Sequence, residues 1–173
     1  MRTWFTADTH FGHANIIKFC GRPFKDVDEM DRTLIEVWNA VVRPEDTVWH
    51  LGDFAFRSTK DPEAYLRRLH GTKHLVVGNH DGEASRSAPS WGSVQDMAHV
   101  SIDGHRVTLC HYAMRVWPRS HHGALHFYGH SHGNLPGDSQ SCDVGMDCWG
   151  FCPVTLAQIL PHLRGLPESG GDR

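Results

Sequence analysis

Five short apolar runs in this chain each break off at a polar, metal-competent residue, and that repetition limits the folds open to it more than any other feature. Residues 2–7 run into Asp8-Thr9-His10, 47–51 into Gly52-Asp53, and 73–77 into Gly78-Asn79-His80-Asp81. Residues 105–110 run into His111, and 125–128 into Gly129-His130-Ser131-His132. Runs of this length and composition read as strands. In α/β sheets, ligands gather at the carboxyl ends of the strands, so such a chain has to bring its five tips to one rim. The segments between them fit. Residues 14–19 read as a helix closed by Gly21 and Pro23. Residues 26–42 form an amphipathic helix with an acidic start and Met30, Leu34, Val37, Trp38 and Val41 at helical spacing. Residues 62–69 make a third helix, with Pro62 in its first turn and Gly71 beyond its end. The order β-α-β-α-β implies a parallel sheet with crossover helices.

The second half reads differently. Strands over 94–102 and 105–110 flank Asp103-Gly104, a hairpin pair. A short strand is expected over 143–146, and a helix over 155–163 with Thr155 and Gln158 at capping-box spacing. The whole is an α/β chain, a mixed sandwich forming one domain over residues 1–164, with a Gly-rich, polar, loose tail at 165–173.

Composition excludes several classes. The formal net charge is −3, so no global basic field draws the chain to nucleic acid. No apolar run approaches the ~20 residues that span a bilayer, and the acid at Asp8 comes too early for a signal peptide. These features lead to the expectation of a cytoplasmic protein with no membrane partner; they leave its oligomeric state open. The five cysteines (Cys20, Cys110, Cys142, Cys148, Cys152) fit no disulfide pattern and read as mostly buried thiols. A zinc site built from Cys142, Cys148, Cys152 and His126 would need unusual spacings.

Histidine, at 15 residues, is far in excess. Asp8, His10, Asp53, Asn79, His111, His130 and His132 supply seven nitrogen or oxygen ligands, more than one first-row cation takes. A carboxylate such as Asp53 could bridge two cations. Asp-x-His and His-x-His would point both ligands to one side if the backbone were extended. The set contains no cysteine, which favours a hydrolytic site over a closed structural one. Asp-x-His alone is weak, Gly-Asp and Gly-Asn-His-Asp are also ordinary turn sequences, and Gly-His-Ser-His alone is moderately specific. Their joint occurrence carries the inference.

Asp8-Thr9-His10, Gly52-Asp53, Gly78-Asn79-His80-Asp81, His111 and Gly129-His130-Ser131-His132 together resemble the calcineurin-like metallophosphoesterase superfamily. The stretch from Asp8 to Ile17 is similar to a small bacterial and phage branch of phosphoesterases. The resemblance implies a four-layer α/β/β/α sandwich of two mixed sheets flanked by helices, with two divalent metal ions at its edge. Mn2+ is the first expectation, with Zn2+, Fe, Ni2+ and Co2+ as alternatives. It implies Asp8, His10, Asp53 and His132 on one ion and Asp53, Asn79, His111 and His130 on the other. His80 would act as the acid that protonates the leaving oxygen, a task suited to imidazole. Protein Ser/Thr phosphatases of the superfamily carry Gly-Asp-x-x-Asp-Arg. Here Phe56 stands where their second Asp would be, ahead of Arg57, and Asp81 replaces a Glu, so that class is disfavoured and the partner of His80 is left open.

Arg57, Arg22, Arg115 and Arg119 are candidates for phosphate contact, since guanidinium matches phosphate geometry. Arg57 leads by its closeness to Asp53. His13 is a candidate for lining the site, and residues 112–122, rich in Arg, His and Trp, for binding substrate. The expected activity is hydrolysis of a phosphomonoester or phosphodiester on a small phosphorylated or nucleotide substrate. A nuclease and a catalytically inactive scaffold are the alternatives.

Overall fold

The computed structural model describes residues 1–170. In chain order the elements are β1 (Thr3–Thr6), α1 (Ala14–Phe19), α2 (Val27–Val41), β2 (Thr47–His50), α3 (Pro62–Leu66), β3 (Thr72–Val76) and α4 (Glu83–Arg86). There follow β4 (Trp91–Gln95), β5 (Met97–Ile102), β6 (His105–Cys110), β7 (Leu125–Tyr128), β8 (Ser141–Asp143), β9 (Val154–Thr155) and α5 (Leu156–Arg164). One sheet has the order β4-β3-β2-β1-β9 and the other β5-β6-β7-β8. Both are mixed: β9 runs antiparallel to β1, and β5 antiparallel to β6, while the other pairs are parallel.

The helix α2 starts where Asp26 accepts the Glu29 N–H, with Asp28 and Glu29 in its first turn favoured by the helix dipole. It buries Met30, Leu34, Ile35 and Trp38 in a cluster with Val48 and Leu75 of the first sheet. Asp46 then fastens the strand starts, accepting from Arg2 N–H (2.7 Å), Trp4 Nε1 (3.0 Å) and Arg43 N–H (3.1 Å). A second cluster fills the space between the sheets, where Phe5 meets Phe127 edge-on at 5.0 Å. Into it α5 lays Leu156, Ile159 and Leu163, and the expected capping box at Thr155 and Gln158 is formed. On the other face of the second sheet, Trp117 packs 5.3 Å from His126 and pins the β6–β7 connection down.

Several expectations are corrected. Residues 94–102 are not one strand. The chain leaves the first sheet after Gln95 and enters the second at Met97, passing between sheets through Asp96 alone. The short strand near 143–146 ends at Asp143 and gives way to a 3-10 turn, Met146–Cys148. Only Cys142 among the cysteines is buried. The tail is tied as far as Ser169: Ser139 N–H donates to the Pro167 carbonyl, and Ser169 N–H to Ser139 Oγ. Residues 171–173 of the expected tail lie outside the described residues. Among the described residues no helix is long and apolar enough to cross a membrane.

Candidate metal centre

The loops after β1 and β2 are joined by backbone bonds, Asp8 N–H to the Gly52 carbonyl and His10 N–H to the Asp53 carbonyl, both 3.0 Å. Their side chains converge by a route the sequence reading did not foresee. Asp8, His10, Asp53, His130 and His132 all have positive φ, between 47° and 67°. Extended i, i+2 alternation is therefore not what aligns Asp8 with His10 or His130 with His132; left-handed turns aim them. Asp and His tolerate that region better than most side chains. Close loop contact also dictates two glycines. A Cβ on Gly52 would lie 2.5 Å from His111 Nδ1, and one on Gly78 would collide with Asp53 Oδ1.

Two triads result. Donor atoms of Asp8, His10 and His132 lie within 4.8 Å of one another, as do those of Asp53, His111 and His130. Asp53 stands between them, its Oδ2 3.6 Å from His10 Nε2 and 3.5 Å from His111 Nε2. Asn79 Oδ1 joins the second triad, 3.1 Å from His111 Nε2. All seven residues expected to bind metal thus meet in one place.

Cations suit this set. Asp8 Oδ1 and both His10 ring nitrogens are buried with no hydrogen-bond partner among the described residues, an arrangement folded proteins seldom leave unsatisfied. Burial pushes the Asp8 carboxyl up to about 8 and the His10 imidazole down to about 2. A positive ion would supply the missing countercharge and partner together.

Outer residues orient these candidate ligands. His111 Nδ1–H faces the Leu51 carbonyl at 2.7 Å, which turns Nε2 toward the centre. His132 Nδ1 meets Asp147 Oδ2 at 2.7 Å. Arg22 grips both Asp147 oxygens at 2.8 Å and donates to the Asp8 and Thr9 carbonyls. The Asp81 carboxylate accepts from Asp53, Phe54 and Gly78 N–H groups at 2.8–2.9 Å, so it clamps the loops and is not bonded to the His80 ring. Asp143 does the same for the loop of His130 and His132, taking Ser131 Oγ, Gly133 N–H and Gly145 N–H.

His80 is half-buried at the mouth. Its N–H donates to Asp53 Oδ1 at 2.8 Å, its ring lies 4.1 Å from Phe56, and the imidazole has no hydrogen-bond partner among the described residues. His13 is buried beside it, 5.5 Å from His10 and 4.9 Å from Phe56. Arg57 is exposed, its guanidinium over Phe56 at 5.1 Å. The expectation for Arg22 is corrected: its side chain is wholly buried and its donors are taken by Asp147 and two carbonyls, so it braces the loops of the candidate ligands and has no donor left for a phosphate. Arg115 is exposed in the β6–β7 connection and forms no ion pair among the described residues. Arg119 shares a cavity with His105 and Arg106 at the start of β6, about 20 Å of strand away from His111. Asp147, Asp143 and the thiol of Cys20, which approaches His132 and Asp147, were not singled out from sequence. A carboxylate close after a strand tip was the only available signal.

The sequence profile of the calcineurin-like phosphoesterase superfamily domain matches residues 1–144. An uncharacterised protein of Methanocaldococcus jannaschii is 33% identical over 170 residues, covering 92% of this chain and 89% of its own. The gene 66 protein of Mycobacterium phage D29 is 29% identical over 178 residues, covering 84% and 88%. In fold, a protein of unknown function from Aquifex aeolicus superposes with a TM-score of 0.70 at 22% identity, over 91% of this chain and 96% of that one. An archaeal phosphodiesterase superposes at 0.52 and 20% identity, over 84% and 82%. Because the profile takes in all five strand tips, from Asp8 through His132, the chain belongs to the calcineurin-like phosphoesterase superfamily.

Proposed function

We propose that the protein is a phosphoesterase working with two divalent cations, held by Asp8, His10, Asp53 and His132 on one side and by Asp53, Asn79, His111 and His130 on the other. The observation that carries this reading is the pair of triads sharing Asp53, with Asp8 Oδ1 and His10 left without partners. Divalent cations there would activate water as a nucleophile near neutral pH and offset phosphoryl charge. Mn2+ is the first candidate, and the oxygen- and imidazole-rich donor set also suits Zn2+, Fe, Ni2+ or Co2+.

The chain's own residues do the rest. Asp53 holds the His80 backbone through its Oδ1, which fixes the ring at the mouth beside Phe56. His80 delivers a proton to the leaving oxygen of the ester. Arg57, exposed beside His13 and Phe56, meets a non-bridging phosphoryl oxygen. Small phosphomonoesters or phosphodiesters are the proposed substrates, and the cytoplasm the proposed location.

Metal analysis together with hydrolysis of bis-p-nitrophenyl phosphate and p-nitrophenyl phosphate under Mn2+, Ni2+, Co2+ or Zn2+ tests the reading. Turnover that chelation abolishes and Asp53→Asn removes is expected; absence of turnover with every ion would refute it. His80→Ala should retain its metals yet lose about 10²–10⁴-fold in turnover of esters with poor leaving groups. Full activity in the metal-replete variant would remove His80 from the mechanism.

A further inference from the structure

Aromatic rings in this protein are almost all covered, and the exceptions are not scattered. Among the described residues, which hold all eight phenylalanines, six tryptophans and three tyrosines, only Phe19, 75% exposed, and Tyr112, 47% exposed, stand open to solvent. Both edge the metal centre. Phe19 lies 6.3 Å from His13, which is 4.9 Å from Phe56, whose ring in turn packs at a tilt 4.1 Å from His80. On the far side the Tyr112 ring is 4.9 Å from His130, and its hydroxyl points to Asn79 Oδ1 at 3.4 Å. Asn79 and His80 are consecutive, so the mouth has Phe19 and Phe56 along one edge and Tyr112 along the other.

Single exposed apolar side chains are ordinary on protein surfaces. Two rings that are the only exposed aromatics among the described residues, one beside His13 and the other beside His130, form a recognisable arrangement. Each forgoes the stabilisation its burial would bring. Flat rings beside a phosphate-binding point suit a flat partner, because bases stack on aromatic side chains with little regard to base identity.

We propose that the centre takes nucleotide-type phosphoesters, stacking the base against one of the two exposed rings, Phe19 or Tyr112, while the phosphate sits at the ligands. This rests on the phosphoesterase reading for the position of the phosphate. No covalent step is added; the two rings determine which ester is held.

The test compares AMP with ribose 5-phosphate, which differ only in the base, as inhibitors of bis-p-nitrophenyl phosphate hydrolysis by the Mn2+-loaded protein. AMP is expected to bind about tenfold more tightly. The Phe19→Ala, Tyr112→Ala double variant should bring AMP to the level of ribose 5-phosphate and move ribose 5-phosphate less than about twofold. Tyr112→Phe should keep the preference, which separates the ring from the hydroxyl contact with Asn79. Equal affinities in the wild type, or a preference that survives the double variant, would overturn the proposal. A protein that hydrolyses no reporter would count against the catalytic reading instead, and calorimetry with the same two ligands would then decide the base preference by the same criteria.

Discussion

The two halves of the centre stand differently without a cation. In the half made by Asp53, His111 and His130, opposite charges satisfy one another. Burial works against both, yet the Asp53–His111 contact prevails, holding Asp53 down at about 2 and His111 up at about 8. In the half made by Asp8, His10 and His132 no such pairing forms, and burial leaves the Asp8 carboxyl raised and His10 neutral. The supports differ as well. His132 is braced through Asp147 to the buried Arg22, whereas His130 and Asn79 are exposed. One half is a buried self-neutralised pair whose companions His130 and Asn79 face solvent; the other is an enclosed set of acceptors short of positive charge. On the two-cation reading, the Asp8 half would take the tighter ion and the Asp53 half the exchangeable one.

Arg22→Met should break this contrast most severely. It leaves the Asp147 carboxylate without its guanidinium, and removing one member of a buried pair costs about 3–5 kcal/mol. Chemical denaturation should register that loss, and the tighter ion should go with it; unchanged stability would mean the brace is idle. Asp147→Asn is milder. Loss of an outer carboxylate on a ligating histidine weakens metal affinity about 10–100-fold. Calorimetric titration should show that loss at one ion only, and equal weakening at both would erase the distinction.

A smaller effect follows from pH. Asp8 ionises at about 8 in the fold against an ordinary 3.8, so its ionisation favours unfolding as pH rises toward 8. His111, raised from 6.5 to about 8, contributes stability below 6.5 that is lost as pH climbs through 8. Asp53, held near 2, contributes above 3.8 and fails only in strong acid, and His10 opposes folding only below its ordinary 6.5. The metal-free protein should therefore melt at a lower temperature at pH 8.5 than at pH 7, and excess Mn2+ should flatten the slope. A melting temperature that rises across that window would contradict the assignment of charge to the two halves.

The strand tips and their ligands were legible because each interaction leaves a local trace: an apolar run, then a polar residue. Longer-range features left none. Arg22 reaches Asp147 across 125 positions, and nothing near either residue marks it as half of a pair. The passage from β4 to β5 was invisible because residues 94–102 contain no Gly or Pro to signal that a strand changes sheets. The two-residue strand β9 is too short for any periodicity. The ligand spacing led to residues that do converge, but through the wrong backbone, since periodicity describes regular strands and these positions are turns.

Those five left-handed positions carry an implication for engineering. Each holds a non-glycine residue in a conformation that disfavours a side chain by about 1–2 kcal/mol. Glycine at His10, whose ring nitrogens have no partner among the described residues, would relieve the main chain while deleting a donor atom. At Asp8 and Asp53 the same change would strip the His130 and His80 N–H groups of their acceptors, so selection for heat tolerance alone would press on His10 and spare the two carboxylates.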